Sequence, residues 1–368
     1  MSKAMEVNGS GSPDPFFDAE MKFRRYFTTY PDRNFRERFP GRLEVLEFGD
    51  ETLNNAIEAL RSEINKRYSN NMSRITPPDD MKGIHMDYLR SQEPNALAFY
   101  VDDLACIAVT ESAIRRVLDI ASRIAVAPGV VSMLQLTNNG GSVNSVAGSF
   151  FTMMMQNLTN HELGHIFHGH CFETARSLPR AEMVDVQAPC FSHNVEWSMR
   201  RQAAEVDADG YAAHMVLKNL FTGGAANALT NYLGSTLQGS ELGMRFFLLS
   251  LGALFYLWGP RTFDAERIEH CDHPPALVRL NVFMRDIEGW CSEHQPSLVG
   301  WGTLERFQQI METIASIDSE PSARDVWERQ GIFMRSPEGM LYRDRLYGKR
   351  EELRNEMIPH QWQLGSER

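Results

Sequence analysis

The chain of 368 residues has only five cysteines, an odd number, and no two stand at the close spacing of a zinc knuckle. Free thiols in a reducing compartment are the expectation. Positive charge is also short. Lys and Arg number 37 against 48 Asp and Glu, a formal net charge of -11, which argues against a general nucleic-acid or anionic-membrane binder. The opening "MSKAMEVNGSGSPDPFF" lacks the apolar centre of a signal peptide, so residues 1–15 read as a flexible leader and the protein as cytoplasmic. Long apolar runs are missing too. "FFLLSLGALFYLW" (246–258) falls well short of the ~20 residues needed to span a bilayer. Residues 125–160 carry no charge, but "TNNGGS" breaks them and Asn, Ser and Gln punctuate them. Buried helices are expected for both, without membrane contact.

What is present suits a globular protein with ample material for a core: 43% hydrophobic and 23% charged residues. Residues 16–90 are expected to form an N-terminal helical region, with "ETLNNAIEALRSEINKRYS" (51–69) as an amphipathic helix. "NALAFYVDDLACIAVT" predicts two short strands meeting at "VDD", and Thr110 is placed to cap the helix that follows. A loop at "TNNGGSVNS" precedes a long helix, and another helix is expected over 194–220. "TGGAANALTN" reads as a break, "SLPRAEMVDVQAP" (177–189) as a loop, and 286–368 as a C-terminal helical region.

The segment "LTNHELGHIFHGHC" (158–171) crowds four histidines and a glutamate together. His161 and His165 are four apart, so on a helix both imidazoles reach one ion. Glu162 is then placed to act as a base toward water beside that ion. A zinc hydrolase needs a third protein ligand. The metzincin pattern fails, because Cys171 and His168 stand where it requires His and Gly. In "AAEVDADGYAA", Glu205 and Asp209 share a helix face, so Glu205 can complete a two-His, one-Glu set while Asp209 orients a ligating imidazole. Glu196 is a rival on the same helix; Asp207 points elsewhere. His168, His170 and Cys171 read as packed or structural residues, and the Met run "FFTMMMQNL" as core.

Taken together, "HELGHIFHGH", "EVDAD" and "DHPPALVR" resemble the gluzincin metallopeptidases typified by the heat-shock protease HtpX and the CAAX prenyl endopeptidases. Four ordered matches cover residues 95–279, including "NALAFYVDDLACIAVTESAI" with Asn95 and Thr110, and Arg279 after the H-P-P segment. The resemblance implies an α+β, mostly helical chain whose zincin-like catalytic domain, 91–285, has a small sheet beside the HExxH helix. It implies zinc held by His161, His165 and Glu205, Glu162 as base, and His273 near the metal stabilising the oxyanion. Asn95 would lie on the edge strand that binds the backbone of a protein or peptide substrate. Departures include Asp272, where Ser or Thr is common, and the absence of evident membrane helices. A Lit-type phage-exclusion peptidase with a single host-protein target and a non-catalytic zinc-binding module are the alternatives.

Overall fold

A computed structural model of the chain describes residues 15–43, 51–70, 75–78, 81–137, 142–172, 194–222, 224–237, 239–259, 262–301, 303–317 and 321–364. Residues 1–14 of the expected leader and the whole expected 177–189 loop, with Cys190 and His193, lie outside the described residues. In chain order come α1 (Pro15–Thr29), α2 (Arg33–Arg38), α3 (Glu51–Asn70), β1 (Ile75–Thr76), β2 (Gly83–Leu89), β3 (Ala96–Val101) and β4 (Leu104–Thr110). Next are α4 (Glu111–Ala125), α5 (Pro128–Met133), α6 (Val143–Phe167), α7 (Val195–Thr222), α8 (Ala225–Leu233) and α9 (Gly239–Trp258). Then follow α10 (Ala276–His294), α11 (Leu304–Ala315), α12 (Pro321–Arg335), α13 (Pro337–Met357) and β5 (Gln363–Leu364). The protein is mostly helical with a small three-stranded sheet, an α+β arrangement.

The sheet order is β2-β4-β3, with β2 parallel and β3 antiparallel to β4. Side chains alternate across it, as the strand period of two requires. Ile107 and Val109 face the large core with Met86 and Tyr88, whereas Cys106 and Ala108 face Leu97 and Phe99. The second face is roofed by Phe23 and Phe27 of α1 and by Phe35 of α2. Thr110 does three things at once. It ends β4, accepts the N–H of Ala113 at 3.2 Å as the cap of α4, and takes the N–H of Asn95 at 2.8 Å. Loss of such a cap typically costs ~1 kcal/mol.

Two expectations change. The N-terminal region expected to be helical also holds β1 and β2. β2, "GIHMDYL", carries His85 and Asp87, which hide its strand character. Both are buried, and Asp87 is held by Arg42 and, at 3.0 Å, by Arg61. Secondly, the expected break at "TGGAANALTN" contains α8, set between Gly224 and Gly234 with φ of 74° and 64°. Those left-handed glycines make the breaks, and the apolar run between them is helical.

From Met153 onward helix α6 is buried on nearly all sides. The Met153–Met155 run packs in the core, and Phe150 stacks on Phe246 of α9 at 4.1 Å between ring centroids. Among the described residues no helix is long and apolar enough to cross a membrane. The C-terminal end laces back to α6: Trp362 donates its backbone N–H to the Phe167 carbonyl at 3.0 Å, and β5 pairs antiparallel with β1.

Candidate metal centre

The site is made where α6 meets α7. Gly164 sits against the α7 backbone so closely that a Cβ there would stand 2.9 Å from the Ala208 Cα and 3.0 Å from its carbonyl oxygen. The missing side chain lets the helices approach, which brings His161 and His165, one turn apart on α6, against Glu205 and Asp209, one turn apart on α7.

Three donor atoms converge there. His161 Nε2 and His165 Nε2 are 3.1 Å apart, and the two oxygens of Glu205 lie 3.4 and 3.5 Å from them. Nitrogen and oxygen ligands ~2.0–2.1 Å from a tetrahedral zinc ion stand about 3.3 Å from one another. The trio could therefore hold a single metal ion. The three side chains keep 12–15% of their surface exposed. Burial alone would lower the His161 imidazole, but Asp209 and Glu205 outweigh it and push it up to about 10. The two carboxylates thus favour positive charge at this point.

Behind the trio, Asp209 Oδ1 lies 2.9 Å from His161 Nδ1. Arg279 of α10 grips Asp209 through two bonds of 2.8 Å, from Nε and Nη2. Its Nη1 is 3.5 Å from Glu205, and its guanidinium lies over the Phe255 ring. Burial would raise the Asp209 carboxyl, yet Arg279 and His161 bring it down to about 2. Glu205 likewise stays well below its ordinary value, because His273, His161 and His165 outweigh burial. His273 Nε2 is 3.5 Å from Glu205 Oε2, and burial takes its imidazole down to about 4, so it is neutral near pH 7. Glu162 is buried next to His161, and burial raises its carboxyl above the ordinary value against the pull of His161 and His165.

A second set of potential donors, His168, His170 and Asp207, lies one turn away. Its geometry differs. His168 Nδ1 and Asp207 Oδ2 are 2.6 Å apart, a hydrogen bond and too short for two ligands of one ion. Asp207, fully buried, is already compensated by Arg350, whose Nε donates to Oδ1 at 3.0 Å, and by Arg354. We read this group as an ionic hub.

The structure thus brings together His161, Glu162, His165, Glu205, Asp209 and His273, all named from the sequence. It separates Glu196, which is exposed and paired with Lys349 at 2.6 Å. Asp272 is buried against Arg201 at 3.2 Å, and Cys171 is a buried thiol raised by burial. Asn95 stands just before edge strand β3 and is buried. Its Oδ1 accepts the Ala96 N–H at 2.9 Å, so the side chain shapes the start of the strand. Asp207, Arg350 and Arg354 were not singled out as site residues. The arginines lie on α13, more than a hundred residues downstream, and no local spacing signals them. The chain matches no protein-family model, no curated protein and no solved structure.

Proposed function

We propose that the protein is a zinc-dependent endopeptidase of zincin-like design, with His161, His165 and Glu205 holding the ion. The observation that carries this reading is the convergence of those three donors at 3.1–3.5 Å beside the buried carboxylate of Glu162. A bound zinc ion would supply Lewis acidity, lowering the pKa of water and polarising a peptide carbonyl. Glu162 takes the proton from the attacking water and passes it to the leaving amine. Its raised pKa suits that double duty, since a carboxylate nearer neutrality both accepts and returns a proton. His273, neutral at working pH, keeps one ring N–H to donate to the oxyanion. Asp209, fixed by Arg279, holds the His161 ring in place.

An extended protein or peptide substrate fits the edge of β3. The outer edge of β2 is partly covered, because the Leu43 N–H bonds the Tyr88 carbonyl at 2.8 Å and the Arg90 N–H bonds Gly41 at 3.0 Å. Among the described residues β3 pairs only with β4, and it packs beside α6, so its free backbone groups suit an added strand. The test is peptide hydrolysis by the zinc-loaded protein and by Glu162→Gln. Loss of turnover with zinc retained supports the reading; equal turnover in both removes Glu162 as the base. No turnover in either, on a broad peptide set, leaves a non-catalytic zinc module as the better account.

A further inference from the structure

His165 and His170 link the hub at Asp207 to the metal centre. His165 presents Nε2 to His161 and Glu205, which leaves Nδ1 as its outer nitrogen, and that atom lies 3.1 Å from His170 Nδ1. The other nitrogen of His170, Nε2, lies 3.4 Å from Asp207 Oδ2. Asp207 Oδ1 is gripped by Arg350 and Arg354, and Arg350 also forks onto Asp286 at 3.2 and 2.9 Å.

We propose that His170 and Asp207 are positioning residues for His165, a chain that makes helix α13 part of the metal centre. The inference rests on reading His161, His165 and Glu205 as that centre. Proton positions then follow in one direction. A ligating His165 keeps its Nε2 lone pair for the ion, so its proton sits on Nδ1 and points at His170. His170 Nδ1 must therefore accept, which puts its own proton on Nε2, facing Asp207. His170 is buried between His165 and Asp207, so neither ring nitrogen is given over to solvent.

The two histidine ligands are thus supported in parallel ways. His161 leans directly on Asp209, which Arg279 holds. His165 leans on Asp207, which Arg350 holds, with an imidazole inserted between. That insertion depends on the turn after α6. Gly169 has φ of 82°, and a Cβ there would stand 2.9 Å from the His360 carbonyl oxygen. The turn that brings His170 back under His165 is therefore braced by the C-terminal segment, where His360 also stacks on Phe172 at 3.8 Å.

The test uses the full chain loaded with cobalt(II), whose visible absorption reports ligand geometry, together with zinc competition against a chelator. The parent is expected to take one metal ion and show tetrahedral cobalt bands. His170→Ala should shift those bands and weaken zinc affinity by about tenfold to a hundredfold, as loss of a partner behind a metal ligand does. His170→Gln, whose amide can accept from His165 and donate to Asp207, should recover much of both. Circular dichroism confirms that each variant is folded, and Arg354→Gln gives a milder perturbation of the hub if His170→Ala is not. Unchanged bands and affinity in His170→Ala would overturn the positioning role and leave the metal centre standing. Two ions per parent chain would also overturn it, making His170 a ligand. No cobalt in the parent would overturn both readings.

Discussion

Gly164 of α6 and Ala208 of α7 touch backbone to backbone: a Cβ added to the glycine would lie 2.9 Å from the Ala208 Cα. Neither atom is the tip of a flexible side chain, so the helices must part if the space is filled. Gly164→Ala should cost about 1–3 kcal/mol in stability, the usual penalty for overpacking. It should also draw Glu205 away from His161 and His165, with zinc affinity falling by more than stability alone explains. Urea unfolding and chelator competition on the same variant check both effects. Parent-like zinc affinity in the variant would show that the helix spacing does not set the site.

Arg279 joins Asp209 through two nearly equal bonds and reaches Glu205 with a third nitrogen. A lysine keeps the charge but not the planar fork. Arg279→Lys should therefore leave the fold intact and weaken zinc binding about tenfold. Arg279→Ala should in addition lower stability by about 3 kcal/mol, because Asp209 is left buried without its partner. Chelator competition gives the zinc affinity of each variant and urea unfolding its stability; parent-like zinc affinity in Arg279→Lys would assign Arg279 a role by charge alone.

Asp87 makes an acid-sensitive joint in the sheet. Burial would raise its carboxyl, but His85, Arg42 and Arg61 outweigh burial and lower it. A carboxyl depressed in the fold contributes stability that is fully present above the unfolded value of about 3.9 and is lost as pH falls through the folded value. Asp87→Asn should cost about 2 kcal/mol at pH 7, less than a fully enclosed pair because Arg42 and Arg61 keep some exposure. The gap from the parent should narrow below pH 4. Unfolding by urea at pH 7 and pH 3 measures it; a gap that does not narrow with acid would dismiss the linkage.

The elements with local signals are those the sequence makes legible. The β3–β4 pair announces itself as two short apolar runs meeting at "VDD", and Thr110 by its place before an apolar-periodic helix. The residues of the candidate site are legible for the same reason. His161 and His165, and Glu205 and Asp209, are spaced by one helical turn. β2 is obscure because its charged members are buried, and burial of Asp87 depends on two arginines from distant segments. Asp207 is obscure on the same ground. It sits two residues from Glu205 and so points to another side of α7, and its partner Arg350 is 143 residues away. A buried ion pair between remote positions leaves no periodicity to read.

The most direct test of the account is zinc content per chain, by elemental analysis, in the purified parent and in Glu205→Ala. The account predicts one zinc ion in the parent and a clear loss in the variant. One ion in both would place the third ligand elsewhere, and none in the parent after zinc is supplied would contradict the metal centre and the peptidase reading with it.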